Sequence, residues 1–270
     1  ECASGSGSAH GDVEWPPGRG RARPGPRFDL ALPPGGYAWW YADGISTDGE
    51  LGITLIAFVG SVFSPRYRRA RQRGGANPWA HCALNAVLYQ RNGGRWAMTE
   101  WPAEHISASE TELVFGASAL RWTDGRLEVT VDERSAPWGG RMRGRITVHP
   151  ETVFDAPVQL DAEGRHFWYP LAPTARLEVD LEAPRARFSA SGYHDANAGT
   201  EGLEAGFQRW SWARLQHPQG TAIVYDAIRD DGSGHCHAGL YGYDGSISEL
   251  DLAPPTELPN TGWGVSRWLR

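Results

Sequence analysis

Short runs of alternating apolar and polar residues recur along this chain from Phe28 onward. "YAWWYA", "GITLIAFVG", "CALNAVLYQ", "RWAMTEW", "ELVFGAS", "RLEVTVDE" and "MRGRITVHP" follow one another, separated by turn signals such as "DG", "NGG" and "GG". Successive side chains on a strand face opposite sides, so a period of two broken by Gly-rich turns predicts antiparallel β meanders. The second half keeps the texture, with "PVQL", "HFWYP", "ARLEVDLE", "RARFSASGYHD", "GTAIVYDAIRD" and "HAGLYGYDG" as strands. Helical periodicity is hard to find, and the expected fold class is all-β. The similar stretches "RLEVTV" (126–131) and "RLEVDL" (176–181) hint at two like β units, 28–150 and 151–270. Residues 1–27, rich in Gly, Pro, Ser and Arg, bury too little apolar surface to fold alone and are expected to form a disordered tail.

Composition narrows the functional classes. A chain of 270 residues with 40% hydrophobic content can bury a substantial core. The net charge of −6 offers no global basic field, so no nucleic-acid partner is expected. Every positive side chain is an arginine, which removes Schiff-base and Walker-type lysine chemistry. Three scattered cysteines, Cys2, Cys82 and Cys236, fit buried thiols in a reducing compartment better than a disulfide framework. The longest apolar run, "LGITLIAFVGSVF", is shorter than the roughly 20 residues of a membrane helix. Neither a transmembrane segment nor a signal peptide is expected.

Several groupings could carry chemistry. "GHCHAG" puts His235 and His237 on one strand face and Cys236 on the other, but no third ligand stands at metal spacing. An exposed hairpin without metal is the expectation there. No G-x-S-x-G elbow occurs. Acids such as Asp195, Glu201, Glu204 and Asp226 leave a glycosidase pair conceivable in a chain with 13 tryptophans. More informative are "GRHFWYP" and "GYHDAN". In extended geometry His166 and Trp168 share one face, while Tyr193, Asp195 and Asn197 share another with His194 opposite. If the two strands are neighbours, a His/Trp pair and a Tyr/Asp/Asn row line one cavity. A carboxyl in such a low-dielectric, aromatic place stays protonated and can act as a general acid. Alternatively, Asp195 caps a turn through "DANAG", with Asn197 in an Asx turn and Tyr193 in the core.

"GGYAWWYADGISTDGELGITLIAFVGSVFSPRY", "HCALNAVLY", "RWAMTEW", "GRHFWYPLAPTARLEVDL", "GYHDANAGTEGLEAGFQRWSWAR" and "AIVYDAIRDDG", in this order, resemble the carotenoid 1,2-hydratase family, also called hydroxyneurosporene synthases. The resemblance runs from about Phe28 to the end. It implies a lipocalin-like protein of two β units packed together, and a cofactor-independent hydro-lyase adding water to the terminal C1–C2 double bond of acyclic carotenoids. It also implies site residues: an aspartate acid with a tyrosine two before it, and a histidine and tryptophan two apart upstream. These fall on Asp195, Tyr193, His166 and Trp168.

Hydrating an isolated alkene needs a proton first, from an acid shielded from water. Asp195 is the expected donor, Trp168 the indole facing the tertiary cation, His166 the group orienting water, and Tyr193 the partner setting the protonation of Asp195. Trp39, Trp40, Asn197, Trp210, Trp212 and Tyr225 are candidates for the wall of an elongated substrate cavity. Arg66, Arg68, Arg69, Arg71 and Arg73 in "SPRYRRARQR" suit peripheral contact with anionic headgroups on the cytoplasmic side of a membrane. The resemblance further implies a chain that ends early, and the missing initiator methionine suggests a fragment at both ends. Two other readings stay open on the same scaffold: a non-catalytic carrier of apolar ligands, and a pericyclase or isomerase that incorporates no water.

Overall fold

The computed structural model describes residues 25–269 apart from 75, 138, 155, 230, 255, 263 and 265. The expected tail therefore falls, up to residue 24, outside the described residues, while Gly25 and Pro26 are buried.

The strands of the first half are β1 (Tyr37–Ser46), β2 (Leu51–Val59), β3 (Cys82–Gln90), β4 (Arg95–Trp101), β5 (Ile106–Ala108), β6 (Glu112–Phe115), β7 (Ser118–Thr123), β8 (Arg126–Arg134) and β9 (Arg141–Pro150). After a short β10 (Val158–Gln159) come two long strands, β11 (His166–Ala183) and β12 (Arg185–Gly199). These twelve form one antiparallel sheet in the order β4-β3-β2-β1-β12-β11-β9-β8-β7-β6-β5, with β10 beside β11. The sheet curls into a nearly closed barrel. Its β4 side approaches the end of β8, where the Ala136 amide donates to the Trp96 carbonyl at 2.8 Å.

The all-β expectation holds, but the partition at residue 150 does not appear as a break between sheets. The hairpin β11–β12, from beyond that point, lies in the middle of the sheet between β1 and β9. The echo "RLEVTV"/"RLEVDL" has a local cause. Leu127 of β8 and Leu177 of β11 both pair with Val148 of β9, and Val129 and Val179 both pair with Ile146. Like sequences flank one strand in one register because both must present the same apolar row to the barrel interior.

A smaller sheet follows: β13 (Arg209–His217), β14 (Gly220–Ile228), β15 (Gly234–Gly242) and β16 (Ile247–Glu249), in chain order. A last hairpin pairs β17 (Thr256–Leu258) with β18 (Arg267–Leu269). The small sheet covers the outer face of β1, β11 and β12. Thr174 of β11 meets Thr221 of β14 through their hydroxyls at 2.8 Å, and Arg214 of β13 reaches Asp43 of β1 at 2.6 Å. Two apolar clusters result. One fills the barrel, with Trp40, Ala42, Leu55, Leu84, Val129, Ile146 and Leu177 in its midst. The other lies between barrel and small sheet, with Tyr37, Trp168, Tyr193, Leu203, Phe207, Ile223, Tyr225 and Tyr241.

Helices are few. The α1 segment (Pro65–Gln72) starts at Ser64, whose hydroxyl accepts the Tyr67 amide, with Pro65 at the first helical position. The arginine-rich stretch is thus a short helix. A single turn, α2 (Leu203–Gly206), follows β12. Among the described residues no helix is long and apolar enough to cross a membrane. Cys82 is buried as expected, whereas Cys236 is exposed.

Candidate active site

The site grows from strand alternation on β1 and β12, which are covered on both faces. Their register pairs Tyr41 with Asp195, Trp39 with Asn197, and Asp43 with Tyr193. Directly opposed residues share a face. On β11, Trp168 pairs with Asn197 and His166 with Gly199. The two strands singled out in the sequence are therefore neighbours, and His166, Trp168, Tyr193, Asp195 and Asn197 project toward the second cluster. His194, between Tyr193 and Asp195, points into the barrel, where Nδ1 lies 2.7 Å from the Tyr41 carbonyl and the ring stacks on Trp122. "DANAG" is strand throughout, not a turn.

Asp195 is 5% exposed and is bound unevenly. Its Oδ2 accepts two hydrogen bonds, from Trp168 Nε1 at 2.9 Å and from the Tyr193 hydroxyl at 2.7 Å. Its Oδ1 is buried and has no hydrogen-bond partner among the described residues. Burial pushes the carboxyl up to about 7, against the opposing pull of the Tyr193 and Trp168 hydrogen bonds and with a further rise from nearby Asp43. Since Oδ2 already accepts two donors, the acid proton belongs on Oδ1.

Asp195 lines a cleft of about 170 Å³ with Trp39, Tyr41, Asn197, Trp210, Trp212 and Tyr225, closed on another side by Ile56, Phe58, Val62 and Phe63. Phe63 is 62% exposed and Trp210 42%, so these two rings stand at its rim. Asn197 donates to the Tyr225 hydroxyl at 3.3 Å. Of the wall residues expected from sequence, Trp39, Asn197, Trp210, Trp212 and Tyr225 are there. Trp40 is not. As the neighbour of Trp39 on a strand it must face the other way, and it is buried in the barrel 5.1 Å from the Phe28 ring.

Trp168 and His166 are both fully buried. Trp168 meets the site through its N–H, and its ring packs against Tyr225 at 5.3 Å and His237 at 5.4 Å. His166 is engaged at both ring nitrogens, Nδ1 with the Tyr37 hydroxyl at 2.9 Å and Nε2 with Glu201 Oε1 at 3.3 Å, and Phe207 packs on it at 4.6 Å. Burial lowers its pKa. Tyr37 in turn stacks on Trp39 at 5.1 Å, so His166 reaches the cleft wall through two aromatic rings. His235 and His237 do share a strand face, but it is half-buried rather than exposed, and His237 Nε2 lies 2.8 Å from the Tyr241 hydroxyl. Among the described residues no cluster of three or more metal-ligating side chains forms.

The sequence alone does not single out Tyr37, Tyr41 or Phe58, and it offers Glu201 only as one acid of a conceivable glycosidase pair. Alternation in "YAWWYAD" carried the signal for two of them. A strand that places Trp39 on the cleft places Tyr37 and Tyr41 beside it and sends Trp40 to the opposite side.

The fold is a nearly closed β-barrel with an aromatic cleft on its outer face, lined in part by a buried carboxyl whose pKa is pushed up to about 7. The particular family follows from likeness to known proteins. A family profile described as Carotenoid hydratase CrtC matches residues 55–270, and the chain belongs to that family. The acyclic carotenoid 1,2-hydratase of Thiocapsa roseopersicina is 46% identical over 269 residues, which is 99% of this chain and 66% of that protein. That of Rubrivivax gelatinosus is 42% identical over 251 residues, 91% of this chain and 61% of the relative. The Cereibacter sphaeroides enzyme of the same name is 41% identical over 79% of this chain and 75% of its own length. The chain thus spans just under two thirds of the first two relatives. Among solved structures, a Nitrosomonas europaea protein described as AttH superposes with a TM-score of 0.58 at 14% identity, covering 84% of this chain and 73% of that one. CghA superposes at 0.57 with 15% identity, over 90% and 71%. At such low identity these two establish the fold alone.

Proposed function

We propose that this chain is an acyclic carotenoid 1,2-hydratase, adding water to the terminal C1–C2 double bond of a substrate such as neurosporene or lycopene by acid catalysis, without a cofactor. The observation that carries the reading is the Asp195 carboxyl, with Oδ2 held by two donors and Oδ1 buried without a hydrogen-bond partner among the described residues, on a residue that lines an aromatic cleft. Near neutral pH a sizeable fraction is protonated, which suits proton transfer to an alkene. The proton passes from Oδ1 to C2 and leaves a tertiary cation at C1. Faces of Trp39, Trp212 and Tyr225 in the cleft can stabilise that cation by about 0.5 to 2 kcal/mol each. Water closes on C1 and its proton returns to Asp195. Trp168 and Tyr193 serve by fixing which oxygen carries the proton, and His166 by holding Tyr37 beneath Trp39.

A substrate dissolved in lipid must reach the cleft from a membrane. Exposed Phe63 stands at the cleft rim just before α1, where Arg66, Arg68 and Arg69 are exposed, while Arg71 is tied to Glu204. We read this as a peripheral docking face, each arginine contributing about 1 kcal/mol toward anionic headgroups. Replacing the three arginines with glutamine should release the protein from anionic vesicles; retained, salt-insensitive binding would refute the docking.

Incubation with lycopene or neurosporene in H₂¹⁸O tests the main reading. A 1-hydroxylated product carrying ¹⁸O supports it, and bound but unconverted substrate would leave a carrier.

A further inference from the structure

Addition of water needs a second prepared component besides the acid, a place for the nucleophile, and residues lining the cleft supply one that the foregoing mechanism has not used. Tyr41 stands directly opposite Asp195 across β1 and β12 on the same face, a position that sets Cβ atoms about 4.5–5.5 Å apart. Its hydroxyl donates to Asp43 Oδ2 at 2.9 Å, and Asp43 is held from the other side by Arg214 at 2.6 Å. With its proton committed in that direction, the Tyr41 oxygen keeps acceptor capacity. Trp212 belongs to the same group. Its ring lies 5.8 Å from Tyr41 and 5.0 Å from Tyr193, and its buried Nε1 has no hydrogen-bond partner among the described residues. Asp195 Oδ1 is the other orphaned polar atom of the cleft lining. A bound water needs two to four polar partners. An acceptor on Tyr41, a donor on Trp212 and the carboxyl of Asp195 meet that requirement in a cleft of about 170 Å³, ample beside the ~30 Å³ a water occupies.

We propose that Tyr41, oriented by the Asp43–Arg214 pair and assisted by the indole N–H of Trp212, forms the binding site of the nucleophilic water, beside the acid on the same sheet face. The inference rests on the hydratase reading. The step balances without any other reactant. The π pair takes the Asp195 proton at C2; a water lone pair forms the C1–O bond; the oxonium returns one proton to Asp195. Tyr41 changes no bond and acts by placing the oxygen, so its loss should spare formation of the cation and impair its capture. A cation that waits for water loses a proton and reverts to alkene.

That difference is measurable in D₂O. Wild-type protein should give hydrated product with little deuterium in recovered substrate. Tyr41→Phe, which keeps the ring, should hydrate about tenfold more slowly, the equivalent of one transition-state hydrogen bond, with KM changed less than about twofold. Deuterium in recovered alkene per molecule of product should rise severalfold. A purely structural tyrosine would slow hydration and exchange together, and that result, or unchanged turnover, overturns the inference. Should Tyr41→Phe fail to fold, Trp212→Phe removes the N–H from the same site, together with part of the ring, and must raise the same ratio. A wild-type protein that forms no labelled product removes the hydratase reading and this inference with it; one that hydrates while neither variant alters the ratio removes the inference alone.

Discussion

The two faces of β1 and β12 form a natural experiment within one strand pair. Inward, Trp40, Ala42, His194 and Ala196 meet the filled barrel; outward, Trp39, Tyr41, Asp195 and Asn197 meet the cleft. Backbone and local sequence are shared; depth of burial matches along β12, whereas on β1 the outward Trp39 and Tyr41 are half-buried and the inward Trp40 and Ala42 buried. His194 and Asp195 are consecutive, both buried and both shifted toward the neutral form, His194 down to about 4 and Asp195 up to about 7. Burial is the leading cause of each shift, yet only Asp195 has two donors gathered on one atom and lines a cleft. A shifted pKa alone therefore does not mark a functional group; the space and donors around it do.

The largest expected difference between the faces is catalytic. Asp195→Asn keeps the shape but removes the acid, and hydration should fall about 10²–10⁴-fold with the barrel intact, checked by kcat and thermal unfolding. The same variant separates two opposed pH slopes. For Asp195 the folded pKa lies above the unfolded one, so its contribution is fully present below about 4 and is lost as pH rises to about 7, on the order of 4 kcal/mol. For His194 the folded pKa is depressed, so its contribution is present above about 6.5 and is lost as pH falls toward 4. Asp195→Asn should gain stability over wild type across pH 4–7. Denaturant unfolding curves that run parallel for both proteins over that interval would show that Asp195 titrates normally.

Next in size are the paired tryptophans. Trp40→Ala opens a cavity in the filled barrel and should cost about 3–5 kcal/mol of unfolding free energy. Trp39→Ala, partly exposed at the cleft, should cost clearly less stability and show instead as a raised KM or weaker carotenoid binding. Equal losses of stability at both would mean that the outer face is as filled as the inner one.

These contrasts also mark what could be read in advance. Alternation in "GYHDANAG" assigned Tyr193, Asp195 and Asn197 to one side and His194 to the other, because the strand period admits no other arrangement. The same rule applied to "YAWWYAD" separates Trp39 from Trp40 and aligns Tyr41 with the cleft, but which side was the cleft depended on a cover supplied by β13–β15, far along the chain. Nor could an echo in the sequence tell a repeat from two strands flanking a third, since both demand the same apolar row. His166 shows the limit most sharply. Its face was legible, whereas its engagement by Tyr37 and Glu201 arises from a loop and a strand distant in sequence.

The smallest predicted effect probes how finely the outer face is tuned. The Tyr193 hydroxyl donates to the same oxygen of Asp195 as Trp168 does, and both bonds favour the ionised carboxyl against burial. Removing one of them with Tyr193→Phe weakens the charged form by the value of one hydrogen bond to a buried acid, about 1.4 kcal/mol, or one pH unit. The alkaline limb of the hydration rate, set by loss of the Asp195 proton, should accordingly move upward by about one pH unit. The ring remains to pack against Tyr41 and Trp212, so the fold should persist. A downward shift would mean that the phenol stabilises the neutral acid, and the proton would then belong on Oδ2, away from the cleft.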